Sequence, residues 1–94
     1  MRLTKEDRQT AVAISQTLKQ MRKQLQPGSL QKIKEDATAF LVTKGFSVDY
    51  TEMAHADTLA LLDYWNGKDP VVALIAAYIG EVRLIDNMLL TTSD

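Results

Sequence analysis

Apolar side chains recur at spacings of three and four through the first quarter of the chain: Ala11, Ile14, Leu18, Met21 and Leu25 fall on one stripe of a helix. Thr4 is a good N-cap for it, and Glu6 and Asp7 follow in the first turn, where carboxylates favour the helix dipole. Lys19, Gln20, Arg22 and Lys23 lie largely off the stripe, with cations suited to the last turns. The pattern predicts a helix over about residues 5–25. Gln26-Pro27-Gly28-Ser29 ends it and caps a second, over about 30–44, whose apolar side is Leu30, Ile33, Ala37, Phe40 and Leu41. Gly45 suits the left-handed position just past that helix. A loop this short makes the two helices antiparallel neighbours, packed stripe to stripe.

The period then drops to two. Phe46, Val48 and Tyr50 alternate with Ser47, Asp49 and Thr51, which predicts a half-buried strand over about 46–54. His55-Ala56-Asp57-Thr58 reads as a turn, with Asp57 able to cap a short helical stretch. Leu59 to Trp65 fits either a strand or a helical turn, because an apolar run that short has no decisive period. Asn66-Gly67-Lys68-Asp69-Pro70 is a turn by composition. Residues 71–79 are β-branched and small apolar, as in a strand covered on both faces, and after a tight turn at Gly80-Glu81 residues 82–89 return as its antiparallel partner. Thr91 to Asp94 reads as a frayed tail. The expected fold is α+β: an antiparallel helical hairpin followed by a small, about three-stranded antiparallel sheet, in a single domain over residues 1–94.

Composition narrows the function classes. With 46% apolar and 24% charged residues the chain belongs among soluble globular domains, and 94 residues bury a modest core. A net charge of -1 offers no field of one sign for nucleic acid or an anionic membrane. The N-terminus lacks a signal-peptide core, and the longest apolar run falls far short of the ~20 residues that span a bilayer. The absence of cysteine removes disulfides, a thiolate nucleophile and a cysteine-based zinc site, and suits a cytoplasmic protein.

Catalytic constellations fail by subtraction. His55 is the one histidine, so a two-imidazole mechanism is excluded, and no G-x-S-x-G elbow accompanies it; it reads as a turn or surface residue. The glycines are scattered, with neither G-x-G-x-x-G nor a Walker lysine. Glu35-Asp36 is the only adjacent acidic pair after the first helix, and helix neighbours point apart, so no metal site is expected. Lys19, Arg22, Lys23, Lys32 and Lys34 form a basic cluster that reads as a solvated face, since no aromatic residue is interleaved.

Four segments resemble the C-terminal domain of the pantothenate synthetase (pantoate–β-alanine ligase) family. Ala76-Ala77-Tyr78-Ile79-Gly80-Glu81-Val82-Arg83-Leu84-Ile85-Asp86-Asn87 is similar to that family's closing hairpin, A-A-x-x-G followed by x-x-R-L-I-D-N. Gly45-Phe46-Ser47-Val48-Asp49-Tyr50 resembles its strand entry, Ala56-Asp57-Thr58-Leu59 its A-D-x-L turn, and Leu3-Thr4-Lys5-Glu6-Asp7-Arg8 the L-T-x-E-x-R that opens its first C-terminal helix. The R-L-I-D-N hairpin is fairly specific; the others gain weight from their order.

The resemblance implies a two-domain, AMP-forming ligase. Its Rossmann-like N-terminal domain activates pantoate with ATP and Mg to a pantoyl adenylate, which β-alanine then attacks. The family's H-x-G-H lies in that other domain, and M-S-S-R-N would fall just ahead of Leu3, where this sequence reads Met1-Arg2. No catalytic, cofactor-binding or metal residue therefore carries over, and the chain by itself is expected to be inactive and to bind no cofactor. What carries over is a lid role, with the N-terminal catalytic domain as partner and a homodimer expected when full-length. Arg83, Asp86 and Asn87 are the candidates for interdomain or lid contacts. Strand alternation puts Arg83, Ile85 and Asn87 on one face and Leu84, Asp86 and Met88 on the other, so Arg83 and Asp86 should not pair. One alternative is a stand-alone helical-hairpin interaction module without catalytic activity. A nucleic-acid-binding domain comes third, through the basic cluster, and a stand-alone enzyme last.

Overall fold

The computed structural model describes residues 5–91. The Thr4 cap and residues 92–94 of the expected tail lie outside them. Helix α1 (Lys5–Gln24) buries Ile14, Leu18 and Met21 of the stripe read from the sequence, together with Ala13, while Leu25 is half-buried. Thr17 is buried among them, and its hydroxyl donates to the Ala13 carbonyl at 2.8 Å, which satisfies it inside the helix. Helix α2 (Gln31–Thr43) buries Ile33, Ala37 and Leu41, with Phe40 half-buried. Gln24 lies beside Asp36, while Gln16 and Gln20 line a groove with Phe40, so the helices run antiparallel. The α2 N-cap is Leu30 rather than Ser29 and has no side-chain cap; Ser29 Oγ accepts the Gln31 N–H at 3.3 Å. At the other end Gly45, at φ +90°, closes α2 as expected. Its N–H donates to Val42 O at 3.0 Å and that of Phe46 to Leu41 O at 3.1 Å, a Schellman motif with Leu41 and Phe46 buried beneath it.

The main sheet has three strands: β2 (Ser47–His55), β4 (Val71–Ile79) and β5 (Val82–Leu89), all antiparallel with β4 central. Gly80, at φ +60°, occupies the first central position of the β4–β5 turn, where a primed hairpin turn needs left-handed backbone. Both helices pack on one face of this sheet, against Met53, Val71, Ala73, Ile75 and Ala77. Two hydroxyls pin α2 to β2: Thr51 donates to Lys34 O at 3.1 Å, which leaves Thr38 as the donor across the 2.7 Å Thr38–Thr51 contact.

Between β2 and β4 several expectations are corrected. His55 ends β2 instead of sitting in the turn, and Asp57 caps no helix, because Ala56–Thr58 is a bare turn. After Leu59, whose φ is +62°, residues 60–65 run extended apart from a bend at Asp63. Ala60 O accepts the His55 N–H, Leu62 N–H donates to Met53 O, and Leu61 bridges Ala54, so the segment lies along the free edge of β2. It ends in β3 (Tyr64–Trp65), which pairs with β1 (Gly28–Ser29), a short strand inside the interhelical loop where the sequence pattern predicts a helix stop and the cap of the next helix. Thr91 is held instead of frayed: its hydroxyl accepts the Val71 N–H at 3.2 Å.

Candidate functional site

The second face of the sheet carries no helix, and its side chains fall into cross-strand rows. Leu61, Ala54, Val72 and Leu89 form one row. Glu52, Leu74 and Asn87 form the next, then Tyr50, Ala76 and Ile85, then Ser47, Tyr78 and Arg83. Large apolar groups stand open along this face: Leu61 is 63% exposed, Ile85 60%, Leu89 49% and Tyr78 38%. The expectation that β4 is covered on both faces is therefore met on one side within this chain. Ala73, Ile75 and Ala77 are buried; on the other side Ala76 is buried between its larger neighbours, Val72 and Leu74 are half-buried and Tyr78 is open.

Arg83 closes the last row. Its guanidinium crosses Tyr78, 5.9 Å from the ring centroid, and donates to Asp49 Oδ2 at 2.8 Å. Asp49 reaches it because β2 is bulged there: Val48 opposes Ala77 and Tyr50 opposes Ala76, which leaves Asp49 as the extra residue. Asn87 shares the face with Arg83, two rows away, and Asp86 points to the other side. The Asp86 carboxylate accepts the Asn87 backbone N–H at 2.8 Å, so Arg83 and Asp86 do not pair. The structure thus brings Arg83 and Asn87 onto one surface and sets Asp86 apart.

A second polar group lies at the β2 edge. Lys34 leaves the predicted basic face and turns inward, its ammonium 2.9 Å from Glu52 Oε1 and 3.1 Å from Asp63 Oδ1. Glu52 Oε1 is buried, and its contact with the Lys34 ammonium compensates its charge. Burial pushes the Lys34 pKa down, but hydrogen bonding and attraction from Glu52 and Asp63 outweigh it, and the net shift is upward from 10.5. Lys19, Lys23 and Lys32 stay on the helical surface, lining shallow grooves. His55 is half-buried: Nδ1 accepts the Asp57 N–H at 3.2 Å, and Nε2 lies 3.9 Å from Asp69.

Among the described residues no three His, Asp or Glu side chains gather as metal ligands, and the four glycines occupy separate turns instead of one phosphate cradle. No described helix is long and apolar enough to cross a membrane. The described residues do not fit a resident magnesium–nucleotide site.

Sequence reasoning put Ile85 on the face of Arg83 and Asn87 but missed Asp49, Tyr78, Leu61 and Leu89 as members of the same surface. A signal was available in β5, where Leu84 and Met88 are apolar on one face and Ile85 and Leu89 on the other. A sheet with one wet face alternates more cleanly than that.

The sequence model of the family described as "Pantoate-beta-alanine ligase" matches residues 1–89. A pantothenate synthetase from Shewanella oneidensis is 38% identical over 87 residues, which cover 92% of this chain and 30% of that relative. One from Shewanella baltica strain OS223 is 40% identical over the same shares. The crystal structure of a pantothenate synthetase from Thermus thermophilus superposes with a TM-score of 0.75 at 28% identity, covering 96% of this chain and 33% of the other. The chain therefore spans about a third of the length of the relatives it matches.

Proposed function

This chain belongs to the pantoate–β-alanine ligase family, and from that premise we propose that it is the C-terminal lid of an ATP-dependent ligase forming pantothenate through a pantoyl adenylate. The observation that carries the reading is the extent of the match. Nearly the whole chain aligns, yet it spans only 30% of the length of the S. oneidensis relative. The chemistry is assigned to the rest of that length. There a pantoate carboxylate oxygen attacks the α-phosphorus of ATP and pyrophosphate leaves; the β-alanine amine then attacks the acyl carbon and AMP leaves. Magnesium would accompany the nucleotide in that larger domain, through which the full-length enzyme would also dimerise.

This chain's part is exclusion of water. An acyl adenylate is lost to hydrolysis in an open cleft, and a lid that closes over it favours attack by the amine. A two-layer domain cross-linked by Thr38, Thr51 and the Lys34–Glu52 pair suits movement as one body. Arg83 and Asn87, on the open face, are the proposed contacts to the larger domain or the nucleotide; Asp86 acts through its hold on the Asn87 backbone.

The test is a chimera in which this chain replaces the matched segment of the S. oneidensis enzyme, assayed for pyrophosphate release with ATP, magnesium, pantoate and β-alanine. Turnover by the chimera, with silence from the enzyme lacking the segment and from this chain alone, is the expected result. A folded but inactive chimera would overturn the reading, and so would turnover by the chain alone.

A further inference from the structure

We infer that Asn66-Gly67 is a site of spontaneous deamidation in the folded protein, where the Asn66 amide reacts with water to leave aspartyl and isoaspartyl residues. The inference is independent of the ligase reading. Ring closure needs the Gly67 backbone nitrogen to reach the Asn66 side-chain carbon. A Cβ on the following residue obstructs that approach, and glycine has none. Asn66, Gly67, Lys68 and Asp69 are all exposed, so water and hydroxide reach the reacting atoms.

The folded turn supplies groups for the reaction as well. Asn66 Oδ1 accepts the N–H of Lys68 at 2.8 Å and that of Asp69 at 3.0 Å. Two donors aimed at one carbonyl oxygen polarise its carbon and stabilise the negative charge that builds when a nucleophile adds. A third bond opposes them. Nδ2 donates to Asp69 Oδ2 at 3.0 Å, which ties down the leaving nitrogen and must yield. In an exposed turn such an opening costs little.

Hydroxide removes the Gly67 amide proton, and the freed nitrogen bonds to Asn66 Cγ. The Cγ–Nδ2 bond then breaks, and that nitrogen takes a proton from water and leaves as ammonia. One water hydrolyses the cyclic imide at either carbonyl. Opening on one side gives aspartate; opening on the other routes the main chain through Cγ and gives isoaspartate. In the isoaspartyl form Cγ and its oxygen belong to the backbone, so the side-chain cap over Lys68 and Asp69 is lost. That cap shapes a turn in which Gly67 lies against Pro27, closely enough that a Cβ would meet Pro27 Cγ at 2.9 Å, and the Asp69 carbonyl accepts Trp65 Nε1–H at 2.9 Å.

Asn87, the other asparagine, is the internal control: it lies in β5 opposite Leu74, and the residue after it is Met88. The chain is incubated in mildly alkaline buffer, native and in urea, and the amide-to-acid mass change at each asparagine is read by peptide mapping. Fragmentation that distinguishes isoaspartate from aspartate identifies the product. Asn66 is expected to convert to a mixture of the two, at a native rate within about tenfold of that in urea and at least about tenfold faster than Asn87. Asn66→Gln leaves Gly67 in place but needs a larger ring, and should abolish the change at position 66. Native conversion more than about tenfold slower than in urea overturns the inference, because the turn then guards its asparagine. Conversion of Asn87 at a matching rate overturns it too. So does an acidic product at position 66 with no isoaspartate, since direct hydrolysis would then be the route.

Discussion

Arg83 on β5 reaches over Tyr78 on β4 and binds Asp49 on β2, so one side chain ties all three strands of the sheet on its open face. Both partners are about two-fifths exposed. Water and salt screen such a pair, and its contribution to stability is small.

Two substitutions separate its structural role from its proposed contact role. Asp49→Ala should lower the unfolding free energy by about 0.2–1 kcal/mol in urea titrations, less at high salt. Arg83→Ala should cost the isolated domain a similar amount. In the chimera, a lost charge-assisted hydrogen bond of about 1.5–3 kcal/mol should cut turnover roughly tenfold to a hundredfold. Equal effects of Arg83→Ala and Asp49→Ala on turnover would confine Arg83 to the sheet.

Lys34 should matter more to stability. Lys34→Met removes the cation that compensates the buried Glu52 oxygen and is expected to destabilise by about 1–3 kcal/mol. Lys34→Met with Glu52→Leu should recover most of the loss. The pH dependence has a definite sign. The Lys34 pKa is raised on folding, so its contribution is complete below 10.5 and is lost as pH rises through the higher folded value. Urea midpoints should therefore fall above pH 10.5 more steeply in the parent than in Lys34→Met.

Gly45→Ala isolates the cost of a left-handed backbone. An added Cβ would meet Ile79 Cδ1 at 3.7 Å, an ordinary contact, so the expected loss of about 1–2 kcal/mol is conformational. Gly67→Ala should lose more, because its φ is +83° and the new Cβ would lie 2.9 Å from Pro27 Cγ. Thermal unfolding of the two variants side by side checks the order.

Leu59 holds φ +62° with its side chain in solvent, and among the described residues it is the only non-glycine at positive φ. Leu59→Gly should exceed Leu59→Ala in stability by about 1 kcal/mol, since alanine keeps the strain that glycine removes. Equal midpoints would mean that the turn relaxes at no cost.

The parts of this fold whose physics is local were legible in the chain alone. The stripes of Ile14, Leu18 and Met21 and of Ile33, Ala37 and Leu41 need only a helical period to face one way, and both are buried. Gly45 and Gly80 mark the α2 stop and the hairpin because few other residues take that backbone. Whatever depends on distant partners came from the assembled fold. Residues 59–65 have no period of their own; from Ala60 onward they run along β2 because Met53, Ala54 and His55 offer its unpaired edge. Lys34 leaves the basic face because Glu52 and Asp63, on other elements, draw it inward. Arg83 finds Asp49 across 34 residues only because a bulge turns that carboxylate to the open face. Spacing along a chain sets which side of an element a residue occupies, whereas pairing across elements is set by register, and register exists only once the sheet has formed.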